Sequence, residues 1–106
     1  YLFIITKDNL LVCINTSTGK IIYSLNISNQ IADFLDSKKK SISIKSLSLA
    51  NDNLLMFLDN SYLVVFNKNG KIVKIDKPKN KLGTSPIFIN KSILFLNKSN
   101  KLIVLN

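Results

Sequence analysis

The sequence predicts an all-β protein: a partial β-propeller of four-stranded antiparallel blades, about two and a half of them, with one short helix in an insertion between two blades. Three observations predict this fold class. Ser46–Asn67 aligns with Ser85–Asn106 over a shift of 39 positions, without a gap. Leu2–Asn15 aligns with Leu54–Asn67 over a shift of 52. Each repeat holds several short apolar segments, and a period of about 40–50 residues with several strands is typical of a propeller blade.

Each complete repeat is expected to contain four strands, A to D in chain order. Asp59-Asn60-Ser61 separates strands B and C, and Lys68-Asn69-Gly70 separates C and D, as turn residues do. The B and C segments are continuous apolar runs, which indicates burial on both faces, whereas the D segments alternate like half-exposed edge strands. The predicted strands are Leu2–Thr6, Asn9–Asn15, Lys20–Ile27, Ser46–Ala50, Asn53–Leu58, Tyr62–Asn67, Lys71–Ile75, Pro86–Ile89, Ser92–Asn97 and Lys101–Asn106.

These strands divide the chain into parts of one propeller domain, 1–106. Residues 1–28 hold strands B to D of a first blade, and residues 29–45 form an insertion between blades. Residues 46–76 make a full blade. Residues 77–106 supply strands A to C of a last blade, which we expect at the C-terminal end of the propeller, with Asn106 as the natural end of the protein.

The connection after the first repeat is twelve residues longer than its counterpart after the second. Ile31, Phe34 and Leu35 lie within it at the spacing of one helical face, which predicts a short amphipathic helix. Asn29 is its predicted N-cap, and Lys38-Lys39-Lys40 is expected at its C-terminal end, where cations are favoured. The insertion either covers the core or binds a partner, and the sequence leaves both open.

Composition limits the possible chemistry. The charged residues are fifteen Lys and six Asp, which gives a formal net charge of +9, and the chain has no Arg, His or Glu. Nucleic-acid binding is not expected, because the Lys clusters have no interleaved aromatic residues and no Arg to read bases. Neither a His-based triad nor a Glu general base is available, and one cysteine forms no thiolate metal cluster. Cys13 aligns with Val65 and Val104 and is predicted to be a core residue. We expect no catalytic residue, cofactor or metal.

One segment resembles the pyrroloquinoline-quinone-type repeat. Leu11–Tyr23 has a strand, a small polar turn, Thr-Gly-Lys and two apolar residues, with Tyr23 where that family has a Trp that docks between blades. The second repeat keeps Gly70-Lys71 but has Lys74 at the aromatic position. Such degenerate repeats are typical of family members that hold no cofactor.

The chain looks most like the propeller lipoprotein of the bacterial outer-membrane β-barrel assembly machinery. This resemblance implies a non-enzymatic scaffold in the periplasm that assists assembly and insertion of barrel proteins by binding the barrel-forming subunit. It also implies indirect membrane attachment through a lipid anchor outside this segment. A fragment of a quinoprotein dehydrogenase and a fragment of another ligand-binding propeller are the alternatives.

Two surfaces are candidates for contacts. In a propeller, the D-to-A connections and the B-to-C turns share one rim, so the candidate partner-binding residues are Ile31, Phe34, Leu35, Asp59 and Asn60. In addition, the two blade faces without a neighbour in the chain expose apolar residues. Soluble monomers rarely expose large apolar patches, so the isolated chain is expected to self-associate.

Overall fold

The computed structural model describes residues 1–105 and shows three antiparallel sheets and one short helix. The first sheet has the strand order β1-β2-β3, the second β4-β5-β6-β7, and the third β10-β9-β8. The elements are β1 Leu2–Ile5, β2 Leu10–Ile14, β3 Ile21–Asn26, α1 Ile27–Leu35, β4 Ile44–Ala50, β5 Asn53–Leu58, β6 Leu63–Phe66, β7 Ile72–Asp76, β8 Ile87–Ile89, β9 Ser92–Leu96 and β10 Leu102–Leu105.

All ten predicted strands are present, and their ends lie within two residues of the predicted ones. The largest difference is at β4, which begins at Ile44 rather than Ser46, with an irregularity in its pairing with β5 between these two residues. The last predicted strand residue, Asn106, which is also the predicted natural end of the protein, lies outside the described residues.

The turns show that the sequence repeat is also a structural repeat. Asn9, Ser61 and Asn100 occupy equivalent positions between strands B and C, and all three have positive φ angles of 60°, 72° and 62°. In each turn, the N–H of this residue donates to the carbonyl three residues earlier, at 3.0, 2.8 and 3.0 Å. Asn51-Asp52 and Asn90-Lys91 likewise form equivalent two-residue hairpin turns in which both residues have positive φ.

The chain divides into two compact units. Unit 1 comprises Tyr1–Ile42 with Gly70–Ile72, and it contains the first sheet and α1. Leu11 and Ile27 are fully buried there, and Cys13 is 1% exposed, so the prediction that Cys13 is a core residue is confirmed. Unit 2 comprises Ser43–Asn69 and the residues from Val73 onward.

Unit 2 has a hydrophobic core in which the second and third sheets pack face to face. The rings of Phe57 and Phe95 meet edge to face, with centroids 6.4 Å apart and planes at 65°. The opposite face of the second sheet is buried as well, so the prediction that B and C strands are buried on both faces holds for this sheet. The core residues are Phe57, Leu63, Val65, Leu82 and Phe95, and those of the opposite face are Leu54, Met56, Val64 and Phe66.

Helix α1 begins earlier than the sequence predicted, and Asn29 is not its N-cap. The N-cap is Asn26, which is extended (φ −84°, ψ 115°) and whose side-chain oxygen accepts from the Asn29 N–H at 3.0 Å. The helix therefore follows β3 without a loop. Its first residue, Ile27, is fully buried, and this burial fixes where the helix begins. The periodicity of Ile31, Phe34 and Leu35 could not reveal that earlier turn.

The C-terminal end of α1 also differs from the prediction. Asp36 adopts the left-handed conformation (φ 51°), and its N–H donates to the Asp33 carbonyl at 3.3 Å. The Ser37 N–H donates to the Ala32 carbonyl at 3.0 Å, which completes a Schellman motif. The last helical turn contains no basic residue, so the expected position of Lys38-Lys39-Lys40 at the helix end is wrong. The left-handed residue ends the helix before the lysines are reached.

Candidate partner-binding rim

The five candidate residues lie in two places. Ile31, Phe34 and Leu35 are on α1 in unit 1, whereas Asp59 and Asn60 form the turn between β5 and β6 in unit 2. We call the first group the helix site and the second the turn site.

The helix site presents two large apolar side chains to solvent. Phe34 is 47% exposed and Leu35 is 49% exposed, whereas Ile31 is half-buried. The inward side of α1 is formed by Ile27, Ser28 and Ala32, all of which are buried. The three apolar residues that were predicted to form one covering face thus differ in burial. Other residues of α1 make its buried side, so Phe34 and Leu35 remain about half exposed.

The connection that carries α1 is held at both of its ends by Asn9. The Asn9 carbonyl accepts from the Ile27 N–H at 3.0 Å, and the Asn9 Nδ2 donates to the Ile42 carbonyl at 3.0 Å. A segment that is fixed in this way loses less conformational entropy when a partner binds it. One signal for this role is visible in the sequence, since Asn9 stands at the repeated turn position shared with Ser61 and Asn100.

At the turn site, the two residues have different roles. The Asn60 side-chain oxygen accepts from the Tyr62 N–H at 3.1 Å, so this side chain stabilises the turn itself. The Asp59 N–H donates to the Ser43 carbonyl at 2.8 Å. Both side chains are exposed, and the Asp59 carboxylate is the charged group of this turn.

Ser61, beside the turn site, is a residue that the candidate set missed. It is 4% exposed, and its hydroxyl accepts from the buried Leu82 N–H at 2.8 Å. Leu82 belongs to the core of unit 2, so this hydrogen bond fixes the connection between β7 and β8 to the β5–β6 turn. Ser61 therefore has the same role as Asn9. Each is a turn residue with positive φ whose side chain anchors the connection leading to the next sheet.

Unit 2 also contains two clefts. A cleft of about 290 Å³ is lined by the apolar Phe95 and Ile103 together with Lys77 and Lys79. A larger cleft of about 620 Å³ lies between the second and third sheets. Its lining includes Lys74 and Asp76, which form an exposed ion pair at 3.3 Å, and such a pair contributes little stability.

Tyr23, which stands at the Trp position of the repeat, has a packing role in unit 1. Its ring lies against Gly70. A Cβ atom added at Gly70 would be only 2.9 Å from the Tyr23 Cε1 and 2.5 Å from the Leu25 Cδ2, so a larger residue would not fit there without a shift of these side chains. Gly70 also has a φ of +82°, which favours glycine. Burial raises the pKa of Tyr23 to about 12, with a smaller contribution from the neighbouring Cys13. Tyr23 therefore stays neutral at physiological pH.

Within residues 1–105, no three His, Cys, Asp or Glu side chains are grouped as metal ligands. In the same part of the chain, no helix has the length and apolar character needed to cross a membrane. No protein-family model and no curated protein matches this chain.

Proposed function

We propose that this chain is part of a β-propeller of pyrroloquinoline-quinone-type repeats that serves as a non-enzymatic protein-interaction scaffold. Two observations support a propeller: the antiparallel sheets have turns of equivalent geometry, and the second sheet is buried on both faces. The place of Tyr23 against Gly70 is consistent with an aromatic residue that docks beside a glycine turn.

The helix site carries the functional part of this proposal. Phe34 and Leu35 are about half exposed on a helix that is capped at both ends, in a connection that Asn9 holds at both ends. Phe is enriched at protein–protein interfaces, and exposed apolar patches mark interaction sites. The turn site, with the Asp59 carboxylate, is proposed as a second, polar contact.

The proposed partner is the barrel-forming subunit of the bacterial outer-membrane β-barrel assembly machinery. The protein would then act in the periplasm, attached to the outer membrane through a lipid anchor outside this segment, and assist assembly and insertion of barrel proteins. This part of the proposal rests on the resemblance of the repeat sequence to the propeller lipoprotein of that machinery.

Binding to the purified periplasmic part of the barrel-forming subunit tests the proposal, with the chain immobilised and the subunit titrated by biolayer interferometry. The double variant Phe34→Ala/Leu35→Ala should weaken binding at least about tenfold, which corresponds to about 1.4 kcal/mol. Asn29→Ala, an exposed change on the same helix, is the matched control and should bind like the unchanged chain.

Two results would contradict the proposal. One is the absence of binding by a chain whose circular dichroism shows it to be folded. The other is equal binding by the double variant and the unchanged chain, which would exclude the helix site. Retention of added pyrroloquinoline quinone through gel filtration, followed by its absorbance, would instead favour the quinoprotein alternative.

A further inference from the structure

The third sheet has one uncharged and mostly apolar face that solvent reaches. Alternation along β8, β9 and β10 places six apolar residues and Ser92 on this side, and four of the apolar residues are at least 49% exposed. The pairing of Leu94 with Val104 and of Leu96 with Leu102 confirms that they share one side. We call this surface the open face of the third sheet; beside Ser92, its apolar residues are Ile87, Ile89, Leu94, Leu96, Leu102 and Val104.

The repeat shows what kind of surface fits this face. A shift of 39 positions places Leu55, Phe57, Leu63 and Val65 of the second sheet on Leu94, Leu96, Leu102 and Val104. In unit 2, those second-sheet residues pack against the opposite face of the third sheet, which presents Phe88, Ile93, Phe95 and Ile103. The open face is therefore equivalent to a face that this chain already covers with a sheet.

The first sheet exposes the complementary type of face. Leu2 is 48% exposed and Ile4 is 40% exposed, and their partners across the sheet, Ile14 and Val12, are half-buried. Successive shifts of 52 and 39 positions carry this face onto the packed face of the third sheet. We call the surface formed by Leu2, Ile4, Val12 and Ile14 the open face of the first sheet. In the repeat, these four residues correspond to Ile93, Phe95, Ile103 and Leu105, in that order.

From this equivalence we infer that, when this chain is on its own, a second copy binds the open face of the third sheet through its own open face of the first sheet, in the place that other blades would take in the propeller proposed above. The contact repeats between molecules the sheet-on-sheet packing that joins the second and third sheets within one molecule. Two different faces meet, so the association is head-to-tail, and each pair of copies still has one free face of each kind. Such heterologous contacts lead to a ring or to a filament.

Two charged variants test the inference by sedimentation velocity at tens of micromolar chain. Leu102→Lys places an ammonium group in the open face of the third sheet, and Ile4→Lys places one in the open face of the first sheet. The unchanged chain should associate, and each variant alone should sediment as a monomer. Mixing the two variants should give a heterodimer and nothing larger, because one intact face of each kind remains in the mixture.

The control is Asn69→Lys, which adds the same charge at an exposed turn residue and should associate like the unchanged chain. Heterodimer formation also shows that both variants are folded. A monomeric unchanged chain overturns the inference. So does association of Ile4→Lys alone, which would mean that identical open faces pair, or a folded mixture without a heterodimer. Val104→Lys and Leu2→Lys provide a second pair if circular dichroism shows that either first variant is unfolded.

Discussion

At the scale of single residues, the turn residues with positive φ do more than reverse the chain. Asn9 and Ser61 each use a side chain to anchor the connection that leads to the next strand A, although one donates and the other accepts. Asn100 has the same backbone conformation at the third equivalent position. These residues are short and polar, which allows both the left-handed conformation and the local hydrogen bond.

Replacing Ser61 by Gly should destabilise the chain by about 1 kcal/mol. Glycine keeps the positive φ without strain, but the buried Leu82 N–H loses its acceptor, and an unsatisfied buried donor costs about 1–3 kcal/mol. Part of this cost is offset because glycine relieves the left-handed conformation. Urea unfolding followed by circular dichroism measures the change in free energy.

Asn100→Gly is the matched control for this prediction, because it makes the same backbone change at the equivalent turn. It should leave the free energy of unfolding unchanged or raise it slightly. Equal destabilisation by the two variants would show that the turn conformation, and not the Ser61–Leu82 hydrogen bond, determines the effect.

At the scale of secondary structure elements, strands were predicted more accurately than the helix. Apolar runs between turn residues locate all ten strands. Each such run is both the segment that forms the backbone hydrogen bonds of the sheet and the segment whose side chains are buried. The start of α1 depends on the burial of Ile27 and on the side chain of Asn26, which also ends β3. Periodicity alone could not decide whether these residues continue the strand or begin the helix.

Asn26→Ala should lower the free energy of unfolding by about 1 kcal/mol, the usual contribution of an N-cap side chain. The cause is the loss of the hydrogen bond from the Asn29 N–H to the Asn26 side-chain oxygen. Urea unfolding monitored at the helix wavelength of circular dichroism provides the measurement.

Asn29→Ala distinguishes this cap from the one that the sequence predicted. The Asn29 side chain is exposed, so its removal should change stability by less than about 0.5 kcal/mol. A larger loss for Asn29→Ala than for Asn26→Ala would contradict the cap seen in the structure.

At the scale of the whole molecule, apolar faces and net charge act in opposite directions. The open faces of the first and third sheets favour association, whereas a formal charge of +9 on every copy opposes it. The lysines are concentrated in turns and connections rather than on the open faces. Electrostatic repulsion between two copies therefore acts while they are still apart, whereas apolar burial acts only once their open faces touch.

Raising the NaCl concentration should therefore strengthen association of the chain. The screening length falls from about 30 Å at 0.01 M to about 8 Å at 0.15 M, so repulsion between copies weakens while apolar burial persists. The weight-average sedimentation coefficient should rise with salt at constant chain concentration. The Leu102→Lys variant should show no such rise, and a decrease for the unchanged chain would indicate assembly through ion pairs instead.

The candidate site was only partly predictable from the sequence. The spacing of Ile31, Phe34 and Leu35 located a helix, but it grouped them on one face, whereas the structure leaves Phe34 and Leu35 in solvent. The exposed Asp59 and Asn60 followed directly from turn composition. Ser61 could not be selected in this way, because its importance depends on Leu82, a residue 21 positions later in the chain.

By itself, the sequence determined the all-β class, the number and position of the strands and the repeat that relates them, because these depend on local turn chemistry and on apolar runs. Only the tertiary structure decided where α1 begins, which turn side chains anchor the connections and which apolar faces remain exposed. The physical reason is that burial and long-range hydrogen bonds join residues far apart in the chain. Phe57 and Phe95 show this clearly: both are apolar strand residues in the sequence, and only the packing of their two sheets brings their rings into contact.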